Sequence, residues 1–185
     1  MLPSTTAMKK PDPRSAVLSR LRDITNVWQI GGEFNRLPVI TEPGIETEFR
    51  VLGTNGHLVE DSSIVAEVHL LFRLIGSPTP GQDIPKNFLH PTTGKVIVAY
   101  VQATYMITYT LGKGEPLTND DVQGFCRVNA VHTAWPFWRE FITSSIARTG
   151  LHNVPVPPVI VDGIRKPPFH YPSQPSNREP VLESQ

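Results

Sequence analysis

The sequence feature that most constrains the fold is an aromatic-rich helical stretch, Trp135 to Gly150. Pro136 suits the first turn of a helix, where its missing N–H costs nothing, and Gly150 suits the left-handed position that ends one. Apolar side chains recur at three- and four-residue steps along one face, at Trp135, Trp138, Ile142 and Ile146. Phe137 and Phe141 fall on a neighbouring face. This distribution predicts a helix that packs on more than one side, between sheets or against a copy of itself.

Upstream of this helix, alternating apolar and polar residues predict strands. The clearest runs cover residues 45–51, 63–74 and 96–107, and a weaker run covers residues 22–32 after a short helix that begins at Pro13. The pair Asn55-Gly56 predicts a hairpin turn, because this dipeptide favours tight two-residue connections. Strands with one apolar face, which packs on the core, indicate antiparallel pairing. The predicted fold class is therefore α+β, a four-stranded antiparallel sheet followed by a long C-terminal helix.

The remaining segments define the domain organisation. Residues 1–13 predict a disordered N-terminus, residues 14–161 a single domain, and residues 162–185 a proline-rich C-terminal tail. Residues 34–44 read as a proline-containing crossover. The connection Gly76–Gly94 carries four prolines and predicts either a functional loop or a disordered insert. Thr118 and Asp121 have the spacing of a capping box, which predicts a short helix before the long one.

Composition excludes several classes of function. Seventeen basic and seventeen acidic residues give a net charge of zero, which argues against nucleic acid or an anionic membrane as a partner. No segment approaches the roughly 20 apolar residues of a membrane span. Cys126 is the only cysteine, so an internal disulfide is excluded and a reducing compartment fits. With no secretory signal at the N-terminus, we expect a cytoplasmic protein.

A search for catalytic groups returns none that are well placed. The six histidines are scattered and show no metal-ligand spacing, so we expect no metal and no cofactor. Nothing local activates Cys126 as a nucleophile with His132, and Gly112-Lys113-Gly114 lacks the strand and helix of a phosphate loop. His69 lies on a wetter strand face beside Glu67, which is typical of a solvated position. We therefore expect a protein that is not an enzyme.

Apolar residues outside the regular elements supply a candidate binding groove. The proline-stiffened stretch after the long helix and the crossover after the first strand both carry apolar side chains that strand pairing does not account for. They either cover the core or form the two walls of a groove for apolar polypeptide segments. The candidate groove residues are Phe34, Leu37, Val39, Ile40, Val154, Val156, Val159 and Val161.

The C-terminal part of the sequence resembles the SecB family of protein-export chaperones. Trp135–Glu140 reads Trp-Pro-Phe-Trp-Arg-Glu, similar to the aromatic-Pro-aromatic-x-Arg-Glu signature of the family's long helix. The similarity continues at Ile142–Ser144, Arg148 and Pro157–Val159. The resemblance implies a SecB-like fold assembled as a dimer of dimers, a homotetramer whose long helices lie between sheets. It places the oligomer interface at Trp135, Trp138, Ile142 and Ile146.

The resemblance also implies an ATP-independent holdase that keeps non-native polypeptides, either preproteins or an antitoxin, in the apolar groove. The family's second helix and the zinc-binding tail that docks the SecA motor have no counterpart in residues 162–185, which argues against SecA docking. A role in a toxin–antitoxin system therefore stays open beside protein export. The alternative from another class is a small-molecule-binding or structural oligomeric sheet domain without chaperone activity.

Overall fold

The computed structural model describes residues 13–37, 44–78, 80–148, 154 and 156 of the 185. The chain begins with a short helix, continues through four long strands and ends in a helical run. The elements are α1 (Pro13–Arg20), β1 (Leu21–Arg36), β2 (Glu46–Val59), β3 (Ser63–Gly76), β4 (Val96–Leu111), α2 (Asn119–Phe125) and α3 (Val131–Ala147). A π-helical turn, Cys126–Ala130, joins α2 to α3, and a single 3-10 turn, Lys86–Phe88, lies between β3 and β4.

The four strands form one antiparallel sheet in the order β1-β4-β3-β2, which confirms the predicted fold class. β2, β3 and β4 are consecutive neighbours, whereas β1 pairs with β4. The chain therefore crosses the width of the sheet between β1 and β2. Three register shifts along β1 mark bulges, which twist this edge strand and interrupt regular pairing. The sheet presents one face to α2 and α3, and no α-helix of the described residues covers the other, called here the outer face.

The predicted turn at Asn55-Gly56 is wrong. β2 runs through both residues, which pair with Glu67 and Ala66 of β3, and ends at Val59. The chain reverses instead at Glu60 and Asp61, whose φ angles of 50° and 52° are the left-handed values that a tight antiparallel turn requires. The dipeptide rule fails here because Gly56 serves a packing role inside the strand rather than a turn.

The core lies between the inner face of the sheet and the helices. Trp135 meets Phe49 of β2 edge-on with ring centroids 5.6 Å apart, and Phe125 meets Tyr109 of β4 in the same way at 4.9 Å. The strands contribute fully buried side chains such as Phe72 along this face. Burial of a large apolar side chain stabilises a fold by about 1.5–3 kcal/mol, so this layer carries most of the driving force for folding.

The structure corrects the assignment of the inner helix face to an oligomer interface. That assignment comprised Trp135, Trp138, Ile142 and Ile146, which are only 4%, 1%, 0% and 4% exposed in the single chain. They pack into the chain's own core, because β2, β3 and β4 already supply the apolar surface that the helix needs. The aromatic side chain that α3 leaves in solvent is that of Phe137, which is 46% exposed.

The long helix also begins earlier than predicted. Helical residues run on from Asn119 to Ala147, so Pro136 lies inside α3 and not in its first turn. Pro136 and His132 are both exposed, so water can reach the His132 carbonyl that a residue-136 N–H would otherwise bond. The predicted capping box is confirmed: Asp121 N–H donates to the Thr118 side chain and Thr118 N–H donates to the Asp121 carboxylate. The predicted stop at Gly150 lies outside the described residues.

The structure describes the connection between β3 and β4 over residues 80–95. It contains the 3-10 turn, a bridge between Leu89 and Val96, and a closed turn in which His90 N–H donates to the Lys95 carbonyl at 2.8 Å. Within the part of the chain that the structure describes, no helix is long and apolar enough to cross a membrane.

Candidate functional site

The end of β1 and the C-terminal half of α3 meet in an aromatic junction. Gly32 makes this contact possible, because a Cβ at that position would lie 3.1 Å from Cζ of Phe141. The Phe141 ring therefore rests on the bare backbone of β1, with its centroid 6.1 Å from that of Trp138. Phe141 remains half-buried, whereas Trp138 is buried. The junction thus combines a rigid buried aromatic with a partly accessible one.

Three of the predicted groove residues pack against the core. Phe34 is half-buried near the end of β1, and Val154 and Val156 are half-buried beyond the end of α3. All three contact the same buried apolar core while keeping part of their surface in solvent. Partial burial of this kind is typical of the wall of a groove, since such a wall is supported from behind and open in front.

Leu37 lies deeper than the groove prediction implies. It is only 6% exposed and its N–H donates to the Val98 carbonyl at 2.8 Å, which extends the pairing of β1 with β4 by one residue. Leu37 is therefore a buried residue with little surface to offer to a groove. The other four predicted groove residues, Val39, Ile40, Val159 and Val161, lie outside the described residues.

A second open surface runs along the solvent side of α3. It borders a cavity of about 530 Å³ lined by Pro136, Arg139, Glu140, Thr143, Ser144 and Ala147. All six are exposed, so this side of the helix is mixed in character and not uniformly apolar. Small side chains at residues 143, 144 and 147 leave the helix backbone accessible, which suits close approach by another polypeptide.

Edge strand β1 carries the largest exposed apolar side chains of the sheet. Trp28, Ile30 and Ile24 are 53%, 51% and 44% exposed. Trp28 pairs with Met106 on the outer face, and the bulges place neighbouring apolar residues irregularly around the strand. An exposed edge with apolar side chains is a ready surface for pairing with another chain. The alternation in residues 22–32 signals the strand, but sequence alone gives no sign that it lies at an edge.

The ionisable groups of the core are held in their neutral forms. Burial raises the pKa of the Cys126 thiol to about 12, and burial followed by the charge of Glu140 raises the pKa of Tyr105 to about 12. Burial also raises the pKa of Tyr109, although its hydroxyl donates to the Thr133 hydroxyl at 2.9 Å. A thiol so held is a poor nucleophile at neutral pH. Cys126 therefore behaves as a small apolar core residue.

His69 takes part in a local polar contact on the outer face of the sheet. His69 lies 3.2 Å from Glu67 and 3.0 Å from the Thr104 hydroxyl and is half-exposed, as a solvated strand position predicts. Among the described residues, no three His, Cys, Asp or Glu side chains cluster in a way that could hold a metal ion. The chemistry that the described surfaces offer is non-covalent: apolar contact, aromatic packing and free backbone groups along sheet edges.

Comparison with known proteins identifies the fold. No family model and no curated protein sequence matches the chain. Among solved structures, the chain is similar to the SecB-like chaperone Rv1957 of Mycobacterium tuberculosis, determined in complex with a ChAD peptide from the Rv1956 HigA1 antitoxin. The TM-score is 0.60, with 11% sequence identity, over 80% of this chain and 95% of that chain. The four-stranded antiparallel sheet with its C-terminal helix is thus a SecB-like fold.

Proposed function

We propose that this protein is an ATP-independent holdase that binds non-native polypeptides in an apolar groove between the end of β1 and the segment after α3. The observation that carries the proposal is the SecB-like fold combined with the half-buried apolar residues Phe34, Phe141, Val154 and Val156, all of which pack against the apolar core. The neighbour with this fold was solved with a peptide of an antitoxin bound, which supports polypeptide as the ligand class.

The mechanism requires no chemistry. A holdase that binds the unfolded form of a client lowers the concentration available for aggregation by mass action. Apolar groove residues recognise side chains, while backbone groups of the client bond to open strand edges, so binding tolerates many sequences. Each well-buried client side chain contributes about 1.5–3 kcal/mol. Association costs roughly 4–15 kcal/mol, so several such contacts are needed and clients are long and flexible.

We propose that Phe141 belongs to this groove together with Phe34, Leu37, Val39, Ile40, Val154, Val156, Val159 and Val161. Its ring is fixed from behind by Gly32 and Trp138 and keeps an accessible side. Aromatic anchors of this kind contribute disproportionately to binding, because they present a large area with few rotatable bonds.

We further propose that the chain assembles as a dimer of dimers. The exposed edge of β1, with Trp28 and Ile30, is suited to pairing with a second copy. The solvent side of α3, with Phe137 and the cavity along the helix, is suited to a second kind of contact. In this arrangement the interface lies on the solvent side of α3 and not on the side of the helix that packs against the sheet.

The proposal leaves two classes of client for a protein that we propose to be cytoplasmic. The neighbour's antitoxin peptide supports an antitoxin, in a cytoplasmic toxin–antitoxin system. A preprotein destined for export is the other class.

The decisive experiment is aggregation suppression. A chemically denatured client is diluted into buffer with increasing amounts of the protein, and light scattering is followed over time. We expect scattering to fall in proportion to chaperone concentration, without ATP. Phe141→Ala should weaken client affinity about tenfold, and Leu52→Ala, which truncates a 50% exposed leucine on β2, serves as the matched control. Unchanged scattering at a severalfold excess of folded protein would favour the small-molecule or structural alternative.

A further inference from the structure

The outer face of the sheet contains a small buried apolar set, separate from the main core. Leu71, Ile75 and Ile97 are 5%, 4% and 4% exposed, yet none belongs to the core between sheet and helices. Their pairing places them on the face opposite the helices: Leu71 pairs with Arg50, and Ile75 pairs with both Glu46 and Ile97. Apolar residues on a helix-free face stay dry only if another part of the chain covers them.

The cover is the 80–95 segment. Phe88 lies against Tyr100 of β4 with ring centroids 6.4 Å apart, and the His90 ring lies 3.4 Å from the Glu48 carboxylate of β2. Both partners point to the outer face, since Glu48 pairs with Arg73 and Arg73 with Tyr100. The segment therefore reaches across strands β2, β3 and β4 at one end of the sheet.

Apart from one ion pair at the end of the segment, between Lys95 and Glu46 of β2, the two sides of this contact are each complete without the other. Glu48 is bound by Arg50 at 2.6 Å and by Arg73 at 3.1 Å, and these bonds hold its pKa below the usual value despite burial. On the segment side, the His90 Nδ1 atom bonds the Thr93 hydroxyl at 3.0 Å, and the His90 carbonyl accepts from Gly94 N–H at 3.2 Å. Only the His90 Nε2 atom, buried and without a well-formed hydrogen bond, faces the sheet.

We propose that the 80–95 segment is a releasable cover that occupies a second binding surface for non-native polypeptide on the outer face. Phe88 ends the 3-10 turn and Leu89 follows it in an extended conformation. Together they present an aromatic and an apolar side chain, the same chemistry that an unfolded client presents. When the segment lifts, Leu71, Ile75 and Ile97 become available, while the Glu48 pairs with Arg50 and Arg73 remain intact. The client part of this inference rests on the proposed holdase function, and the release of the cover does not.

The cover is tested with His90→Ala, which removes the side chain that enters the sheet surface. His57→Ala, at an exposed position of β2, is the matched control. Hydrogen exchange should accelerate about tenfold in residues 86–95 of the His90 variant and stay unchanged in β3 and β4. Binding of an apolar fluorescent dye should rise severalfold. Equal exchange in the two variants would overturn the proposal.

A second variant and a client assay complete the test. Phe88→Ala loosens the same contact from a half-exposed position, so it applies if His90→Ala does not fold. A fluorescent, permanently unfolded polypeptide should bind the variant severalfold more tightly than the wild type. Faster exchange with unchanged client affinity would overturn the second binding surface. A wild-type protein that binds no client would instead overturn the proposed holdase function, while exchange and dye binding still decide whether the cover opens.

Discussion

Gly56 of β2 lies directly against the side chain of Cys126, which occupies the space that a Cβ at position 56 would fill. A Cβ built on Gly56 would be 3.2 Å from Cβ of Cys126, closer still to its Sγ, and 3.4 Å from Cγ1 of Val122. Cys126 and Val122 are both buried, so neither can move into solvent. The start of the helical run can approach the edge strand only because residue 56 has no side chain.

Gly56→Ala should destabilise the protein by about 2–3 kcal/mol, since the added methyl group overpacks a rigid contact. Urea denaturation gives the free energy of unfolding. Gly53→Ala on the same strand is the matched control, because its Cβ would meet nothing closer than a His69 ring carbon at 3.8 Å. There, loss of glycine's flexibility should be neutral or stabilise by about 0.5 kcal/mol. Equal effects of the two substitutions would contradict the close contact.

Arg20 joins three separate parts of the chain. Its buried guanidinium donates to the carbonyls of Gly112, Glu115 and Asp61 at 2.9, 2.9 and 2.7 Å, and to the Asp61 carboxylate at 3.2 Å. Arg20→Met would remove these bonds from a charged donor, each worth about 1.5–3 kcal/mol, while water replaces part of them at Asp61 and Glu115, which are exposed. We expect a loss of at least about 3 kcal/mol in thermal or urea unfolding.

Arg22→Met supplies the comparison for this substitution, since Arg22 is exposed and two residues away. Surface substitutions of this kind usually change the free energy of unfolding by less than about 0.5 kcal/mol. If Arg20→Met and Arg22→Met changed the free energy of unfolding equally, water would have to replace Arg20 as the donor to the three carbonyls. The hydrogen bonds of Arg20 would then be dispensable.

Alkaline pH should destabilise the protein in a predictable window. An acid whose pKa is raised by folding loses its proton more easily in the unfolded chain, so stability falls as pH rises through the unfolded pKa. For Cys126 the fall begins near 9.0 and ends near the folded value of about 12. For Tyr105 it begins near 10.0 and ends near about 12. Each group contributes a slope of about −1.4 kcal/mol per pH unit within its window.

The check is the free energy of unfolding measured by urea at pH 8, 9, 9.5 and 10. Cys126→Ala should have lower stability at pH 8, because a buried side chain is truncated, and it should lack the decline that begins near pH 9. A decline of equal slope in wild type and variant would assign the alkaline sensitivity to other groups.

Features of this fold that depend on residues close together in the sequence can be predicted from it, whereas features that depend on distant residues cannot. Strand alternation and the Thr118–Asp121 capping box are local patterns, and both predictions are confirmed. The turn at Asn55-Gly56 fails because a residue 70 positions away, Cys126, determines the use of the glycine. The position of β1 next to β4 is likewise a non-local choice that no local pattern encodes.

The candidate site follows the same division. The sequence contains apolar residues, such as Phe34 and Val156, that the predicted strand pairing does not account for. In the structure these residues are half-buried against the core. The sequence does not reveal Phe141 as a neighbour, because the Gly32 contact depends on how α3 crosses β1. The inner face of the helix is assigned to an interface from its periodicity together with the family resemblance. Periodicity shows that a face must be covered, but it does not tell whether the chain's own sheet or a second copy covers it.

The side of α3 that remains in solvent offers the clearest test of the proposed assembly. Phe137 is 46% exposed there, so a charge at this position costs the single chain little. If a second copy covers this surface, Phe137→Glu would bury an unpaired charge in the contact. The proposed tetramer should then dissociate to dimers. The melting temperature of these dimers should stay close to that of the wild type. Light scattering coupled to size-exclusion chromatography measures the mass. The control is Leu52→Glu, because Leu52 is 50% exposed on β2, the edge strand at the other side of the sheet from β1. This substitution should leave the mass unchanged. If Leu52→Glu dissociated the assembly and Phe137→Glu did not, the contact would lie at β2, and the solvent side of α3 would be free to serve clients.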